Sequence, residues 1–252
     1  MAGLSVVIIA FNEENNILRC LNSIKPVADE IVVVDSMSTD RTAEICRSFG
    51  CSVVQRVFDG YGTQKQFAVD QATNDWVLSV DADEILSKDL QNELNLLFHP
   101  GSGILYSAYQ IPFAFFYLGR ILKHSGVGNE FHLRLFDRTK GGFTSVPVHE
   151  GIEVKGKTGR LKGKIIHHSY RDISHHIEKL NIYTSRAAEG YIARGRSFSK
   201  LWLRLKFPLT FFSVYLLKGG FLDGYPGFVW SFLAAFYSTL KVAKTIEMTP
   251  RQ

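Results

Sequence analysis

Cysteine is scarce in this 252-residue chain: Cys20, Cys46 and Cys51 make an odd count with no close metal-ligand spacing. Cys20 and Cys46 fall within apolar helical patterns, so the three read as reduced core residues of a cytosolic protein. Basic residues are also missing at the start: Met1-Ala2-Gly3-Leu4-Ser5 enters a strand-like run without the basic stretch or small-residue cleavage site of a signal peptide, so none is expected. No export is expected. Long uninterrupted apolar runs are missing as well. Between Phe207 and Leu240 only Lys218 and Asp223 are charged, but Gly219-Gly220 and Gly224-Tyr225-Pro226-Gly227 divide the stretch into pieces shorter than the ~20 residues that span a bilayer.

Acid is short toward the C-terminus. The net charge of +5 combines 12 basic and 18 acidic residues in 1–150 with 17 basic and only 6 acidic in 151–252. Basic surface interleaved with aromatic side chains suits nucleic acid, anionic lipid or a phosphorylated saccharide. Nucleic acid is the last of these options and is not expected as a partner, because the basic residues are embedded in long apolar stretches that would not stay soluble as an exposed DNA-binding face. Arg194, Arg196, Lys200, Arg204 and Lys206, with Trp202 and Phe207 among them, instead predict a helix lying in a membrane interface. A buried helix pair or a dimer contact is the competing reading.

What is present begins with β-branched runs. Residues 4–10 and 30–35 have the near-continuous apolar character of strands buried on both faces. Ile17, Leu18, Leu21 and Ile24 recur at helical spacing before Pro26, and a second helix is expected around 39–49, closed by Gly50. A third strand follows at 52–56. Thr63 and Gln66 have the spacing of a capping box opening a helix to about Ala72. A fourth strand, 76–81, and a helix near 88–98 complete an open, wound α/β sheet, in which ligands bind outside the strands' carboxyl ends. The pattern then loosens into short strands with turns at Gly126-Val127-Gly128 and Gly141-Gly142. His175 and His176, further on, are expected at the surface of a helix.

Asp81-Ala82-Asp83-Glu84 concentrates three carboxylates at the end of the fourth strand. Such a cluster can equally be a solvated turn or a site for Mg²⁺ or Mn²⁺, which prefer oxygen ligands and leave room for phosphate oxygens. Context decides between them. Ser5 to Glu14, Val33-Val34-Asp35-Ser36-Met37-Ser38-Thr39-Asp40 and Asp81-Ala82-Asp83 together resemble the family 2 glycosyltransferases of GT-A fold, and the resemblance covers nearly the whole chain. It implies a GT-A domain over 1–175, with a nucleotide-binding half (1–98) and an acceptor-binding half (99–175), followed by an apolar, basic helical region over 176–252 that associates with membrane.

By that resemblance Ala10, Phe11, Asn12, Glu13 and Asp35 would hold the nucleoside of a UDP-sugar, Asp35 accepting from the uracil imide. Lys65 and Arg134 are candidates for the diphosphate, and Ala82 would line the same site. Asp81, Asp83 and His167 would hold the divalent cation, with His167 preferred over adjacent His168 because it fits the family position. Phe131 to Arg138, Val148-His149-Glu150 and Ile166 to Tyr170 are similar to the subgroup that adds glucose to heptose in the lipopolysaccharide inner core. There Glu150 would be the catalytic base. The implied activity is metal-dependent, inverting transfer of a hexose, glucose by the resemblance, to a lipid-linked saccharide. Its place would be the inner face of the cytoplasmic membrane. A polyprenyl phosphate or exopolysaccharide acceptor, or a non-catalytic nucleotide-sugar-binding module, are the alternatives. Ser125 to Glu130 departs from the subgroup where the acceptor is expected, which opens the identity of that acceptor.

Overall fold

In the computed structural model, which describes residues 3–128, 130–144 and 151–249, the β-branched runs become β1 (Leu4–Ala10), β2 (Glu30–Asp35), β3 (Ser52–Gln55) and β4 (Trp76–Asp81). They pair in parallel in the order β3-β2-β1-β4. Helices α1 (Ile17–Ile24), α2 (Thr42–Ser48) and α3 (Tyr61–Asp70) make the crossovers that parallel pairing requires. Helices on both faces explain why these strands carry no polar alternation. On one face Val6, Ile8 and Leu78 pack with Ile17, Leu21 and Ile24 of α1; on the other Val7, Val32 and Val34 pack with Ala68 and Val69 of α3. The wound α/β sheet read from the sequence is therefore present.

The chain forms two compact units, residues 1–114 with 129–167, and residues 115–128 with 168–252. In the first, β5 (Glu84–Leu86) and α4 (Lys88–Leu97) follow the acidic cluster. Then β6 (Ala108–Tyr117) begins, and β8 (Phe131–Asp137) pairs antiparallel with both β4 and β6; the end of β6, and β7 (Arg120–Leu122), which turns back on it, belong to the second unit. A small ribbon joins β9 (Gly141–Phe143) to β10 (Ile152–Val154). Beyond it, β11 (Thr158–Arg160) runs parallel to β6, and β12 (Ile165–His167) pairs antiparallel with β5.

Two local expectations fail for one reason. Thr63 does not cap α3, which starts two residues earlier behind Gly60 at φ 133°. Gln66, the other half of the expected box, is engaged elsewhere: its amide oxygen accepts from Phe143 N at 2.6 Å and its amide nitrogen donates to Asp70 Oδ1 at 2.7 Å. Gly141-Gly142 is accordingly strand rather than turn, and a Cβ on Gly142 would collide with that same Gln66 oxygen.

The second unit is mainly helical, as expected of the C-terminal region. It contains α5 (Ile173–Ala193), α6 (Lys200–Phe212), a π-turn over 213–217, a 3₁₀ turn over 220–223 and α7 (Gly224–Met248). Lys244 Nζ ties α7 to α5 through Asn181 O, Asn181 Oδ1 and Ser185 Oγ, each at 2.8 Å. Among the described residues no helix is long and apolar enough to cross a membrane. The expectation that His176 lies at the surface is wrong. It is 5% exposed, stacks on Tyr170 at 3.8 Å between ring centroids, and packs against Trp230. Its Nδ1 lies 2.8 Å from Tyr117 Oη. Burial, then the charges of His175 and Lys179, push the imidazole down to about 4, while burial pushes the Tyr117 phenol up, so the phenol donates and the neutral ring accepts.

Candidate active site

Strand register builds the site. Ala10 pairs with Asp35 across β1 and β2, and Ile9 pairs with Asp81 across β1 and β4. Two carboxylates thus flank the carboxyl end of β1 on opposite sides, roughly 10 Å apart at two strand spacings. The loop after β1 is held by the loop after β2: Asn12, at φ 55°, donates from its backbone to Ser38 Oγ at 2.9 Å and accepts from Thr39 N at 2.9 Å. Glu13 N donates to Thr42 Oγ1 at 2.8 Å, and Glu13 Oε2 accepts from Asn16 Nδ2 at 2.7 Å. Phe11 is left 57% exposed beside buried Ala10.

Asp35 is fully buried, and only one of its oxygens is used. Oδ2 accepts from Ser38 N and Gln55 Nε2, both at 3.1 Å, whereas Oδ1 is buried without a hydrogen-bond partner. An orphaned carboxylate oxygen at the end of a parallel strand calls for a donor from outside the chain.

Asp81 is embraced by cations. Lys65 Nζ lies 2.7 Å from Oδ1 as an ion pair, at an angle that leaves Oδ1 without a directed hydrogen bond, and Arg134 Nη2 donates to Oδ2 at 3.1 Å. Burial opposes its charge, but Arg134 and Lys65 outweigh it and hold the carboxyl well below the usual range. Glu84 faces the other way. It is fully buried, accepts from Arg134 Nη2 at 2.7 Å and from Asp81 N at 2.8 Å, and burial pushes it up to about 7. Of the three carboxylates in the cluster, this one anchors Arg134 and shapes the turn. Glu84 belongs to the acidic cluster in the sequence, but its task is visible only from the pairing of distant strands.

The β5–β12 register sets His167 opposite Glu84, and His167 Nε2 lies 3.2 Å from Asp83 Oδ2. Burial disfavours the imidazolium, yet the Asp83 hydrogen bond and neighbouring carboxylates raise its pKa overall. Phe113 completes the wall, with the Arg134 guanidinium 5.1 Å above its ring. Among the described residues no three His, Cys, Asp or Glu side chains already converge as a metal cage. The donor chemistry nevertheless fits a divalent cation, because Asp83 and His167 are within reach of one ion and Mg²⁺ or Mn²⁺ needs few protein ligands. Glu150, the expected base, lies outside the described residues.

The model of glycosyl transferase family 2 matches residues 5–151. The chain is 33% identical to an uncharacterised glycosyltransferase of Rickettsia typhi over 99% of its length and 88% of that protein. It is 32% identical to the lipopolysaccharide core biosynthesis glycosyltransferase LpsC of Rhizobium meliloti, over 97% of this chain and 92% of the other. Among solved structures, TarS of S. aureus in complex with UDP-GlcNAc aligns with a TM-score of 0.38 at 26% identity, over 49% of this chain and 37% of that one.

Proposed function

Because the chain belongs to glycosyl transferase family 2, we propose that it moves a hexose, glucose in the first instance, from a UDP-sugar to a lipid-linked saccharide of the lipopolysaccharide inner core. Transfer is metal-dependent, inverts the anomeric centre, and takes place at the cytoplasmic face of a membrane. The observation that carries the reading is the register that puts Asp35 and Asp81 on either side of the end of β1, with Lys65 and Arg134 against Asp81. A nucleoside diphosphate has the length and the charge pattern for that span. The similarity to LpsC supports the class of acceptor.

In this reading the orphaned Asp35 Oδ1 accepts from the uracil imide N–H, while the loop from Ala10 to Glu13 supports the ring and ribose. Lys65 and Arg134 take up the diphosphate oxygens, offsetting the charge that grows as UDP departs. Ala82, 4% exposed, lets the backbone of the acidic turn come close to the sugar. Asp81, Asp83 and His167 would hold Mg²⁺ or Mn²⁺, which when bound would supply a Lewis acid for the leaving group. Glu150 removes the proton from the acceptor hydroxyl as its oxygen attacks the anomeric carbon. One C–O bond forms, the bond to the diphosphate breaks, and UDP leaves with its electron pair.

The test is UDP release from a panel of UDP-sugars, with Mn²⁺ or Mg²⁺ and a lipopolysaccharide precursor extract, with and without EDTA. Release is expected with one sugar, only with extract, and not with EDTA. Release that persists in EDTA would remove the metal from the scheme. A Glu150→Gln variant with full activity would remove the base and point to a phosphate acceptor, which needs none.

A further inference from the structure

Helix α6 is a thirteen-residue helix without a single buried residue, although leucine, phenylalanine and tryptophan make up most of it. Its inner side meets α7 through Phe207 against Phe232 (5.3 Å between ring centroids) and Phe211 against Phe228 (5.9 Å). Its outer side carries Leu201, Trp202, Leu205, Leu209 and Phe212, each 40–65% exposed and recurring at spacings of one, three and four residues. Such spacing makes one continuous apolar stripe. A stripe of this size left to water is uncommon on a soluble surface.

Charge identifies what covers it. At helical spacing, Arg204 and Lys206 fall on opposite margins of the stripe, and Lys206 Nζ sits 5.2 Å from the Trp202 ring centroid. Arg194, Arg196, Lys200 and Lys218 add further cations, and from Gly190 to Ile246 the chain contains one acidic residue, Asp223. Asp223 is 1% exposed and spends its carboxylate on Lys123 N, His124 N and Ser125 Oγ, so among the described residues it forms an ion pair with none of these cations. The face is therefore apolar at its centre, aromatic at its edge and cationic on both margins. Beyond α6, Leu217 (73% exposed) in the π-turn and Leu222 (56%) in the 3₁₀ turn are apolar and exposed as well.

We propose that the outer face of α6, with the turn that follows it, docks on the surface of an anionic lipid bilayer, the leucines and Trp202 entering the acyl boundary and the flanking Arg and Lys meeting lipid phosphates. The combination of an apolar stripe, an interfacial aromatic and cationic margins is what such a surface selects. A second copy of this chain is a poorer occupant, because a self-complementary contact would bring the two sets of uncompensated cations together. The proposal gives the membrane component of the functional reading named residues, and its test requires no turnover.

The whole protein is sedimented with vesicles of phosphatidylglycerol and phosphatidylcholine, and with phosphatidylcholine alone, at low and high salt. Binding is expected to the anionic vesicles, at least tenfold weaker to the neutral ones, and weaker again in high salt. Leu205→Glu with Leu209→Glu should abolish sedimentation, and Arg204→Glu with Lys206→Glu should lower it at least tenfold, with UDP affinity unchanged in both. Unchanged helical circular dichroism and an unchanged urea midpoint certify that the variants fold in both units. No sedimentation of the wild-type protein with anionic vesicles would overturn the proposal. So would a concentration-dependent dimer, seen by analytical ultracentrifugation, that Leu205→Glu with Leu209→Glu dissociates. A failure here with metal-dependent UDP release intact leaves the transferase standing, and vesicle binding without turnover does the reverse.

Discussion

Asp223 is the residue whose removal should be most costly outside the candidate active site. Its carboxylate is 1% exposed and accepts three hydrogen bonds of 3.0 Å, from Lys123 N to Oδ1 and from His124 N and Ser125 Oγ to Oδ2. The segment it holds is held in conformations that need support, with Ser125 at φ 64°, Gly126 at 73° and Gly128 at 66°. Asp223→Ala leaves two backbone donors without this acceptor, at about 1–3 kcal/mol each, and the acceptor lost is charged, which places the total at about 4 kcal/mol. Asp223→Asn keeps one oxygen and turns an NH₂ toward a donor, so about half that loss is expected. Arg120 Nη1 donates to the Asp223 backbone oxygen at 3.0 Å and is untouched by either change. Urea unfolding reads the total, and hydrogen exchange reads the place: amides 123 and 124 should exchange roughly a hundredfold faster in Asp223→Ala, about 1.4 kcal/mol corresponding to each factor of ten. A stability change under about 1 kcal/mol, with protection at 123 and 124 intact, would refute the argument.

Asp35→Asn should weaken UDP binding about 10- to 100-fold by calorimetry, because Ser38 N and Gln55 Nε2 hold the amide oxygen and the NH₂ then meets the imide N–H at the orphaned position, donor against donor, with the charge lost. Arg134→Met should cost about 3 kcal/mol in urea unfolding, because it strands the buried Glu84 carboxylate, and Arg134→Met with Glu84→Gln should recover a large part of it. His176 binds its proton more weakly when folded, at about 4 against about 6.5 for a free imidazole. Its contribution is therefore complete above pH 6.5 and lost as pH falls toward 4, by about 3 kcal/mol. In His176→Phe the acid sensitivity in that window, followed by unfolding at stepped pH, should shrink correspondingly.

The part of this molecule legible in the sequence is the part whose physics is local. Val6 to Ile9 and Ile31 to Val34 declare buried parallel strands because each residue carries its own preference and burial on both faces removes alternation. Asp35 and Asp81 are legible too, because a carboxylate ending such a strand needs a reason to be there. What was hidden depends on pairings far apart along the chain. Gln66 abandons a cap for the backbone of Phe143, 77 residues away, and His176 abandons the surface for Tyr117, 59 residues away. The same holds inside the acidic cluster. Asp81, Asp83 and Glu84 are near-equivalents as letters, yet Arg134 claims the last, His167 meets the second, and Lys65 and Arg134 share the first. Their division of labour follows from which strand lies on each side, β8 bringing Arg134 and β12 bringing His167. Lys65 and Arg134 already neutralise Asp81 in this arrangement, so in the proposed reaction the two cations would be free to meet diphosphate oxygens only where a bound divalent cation took over the compensation of that buried carboxylate.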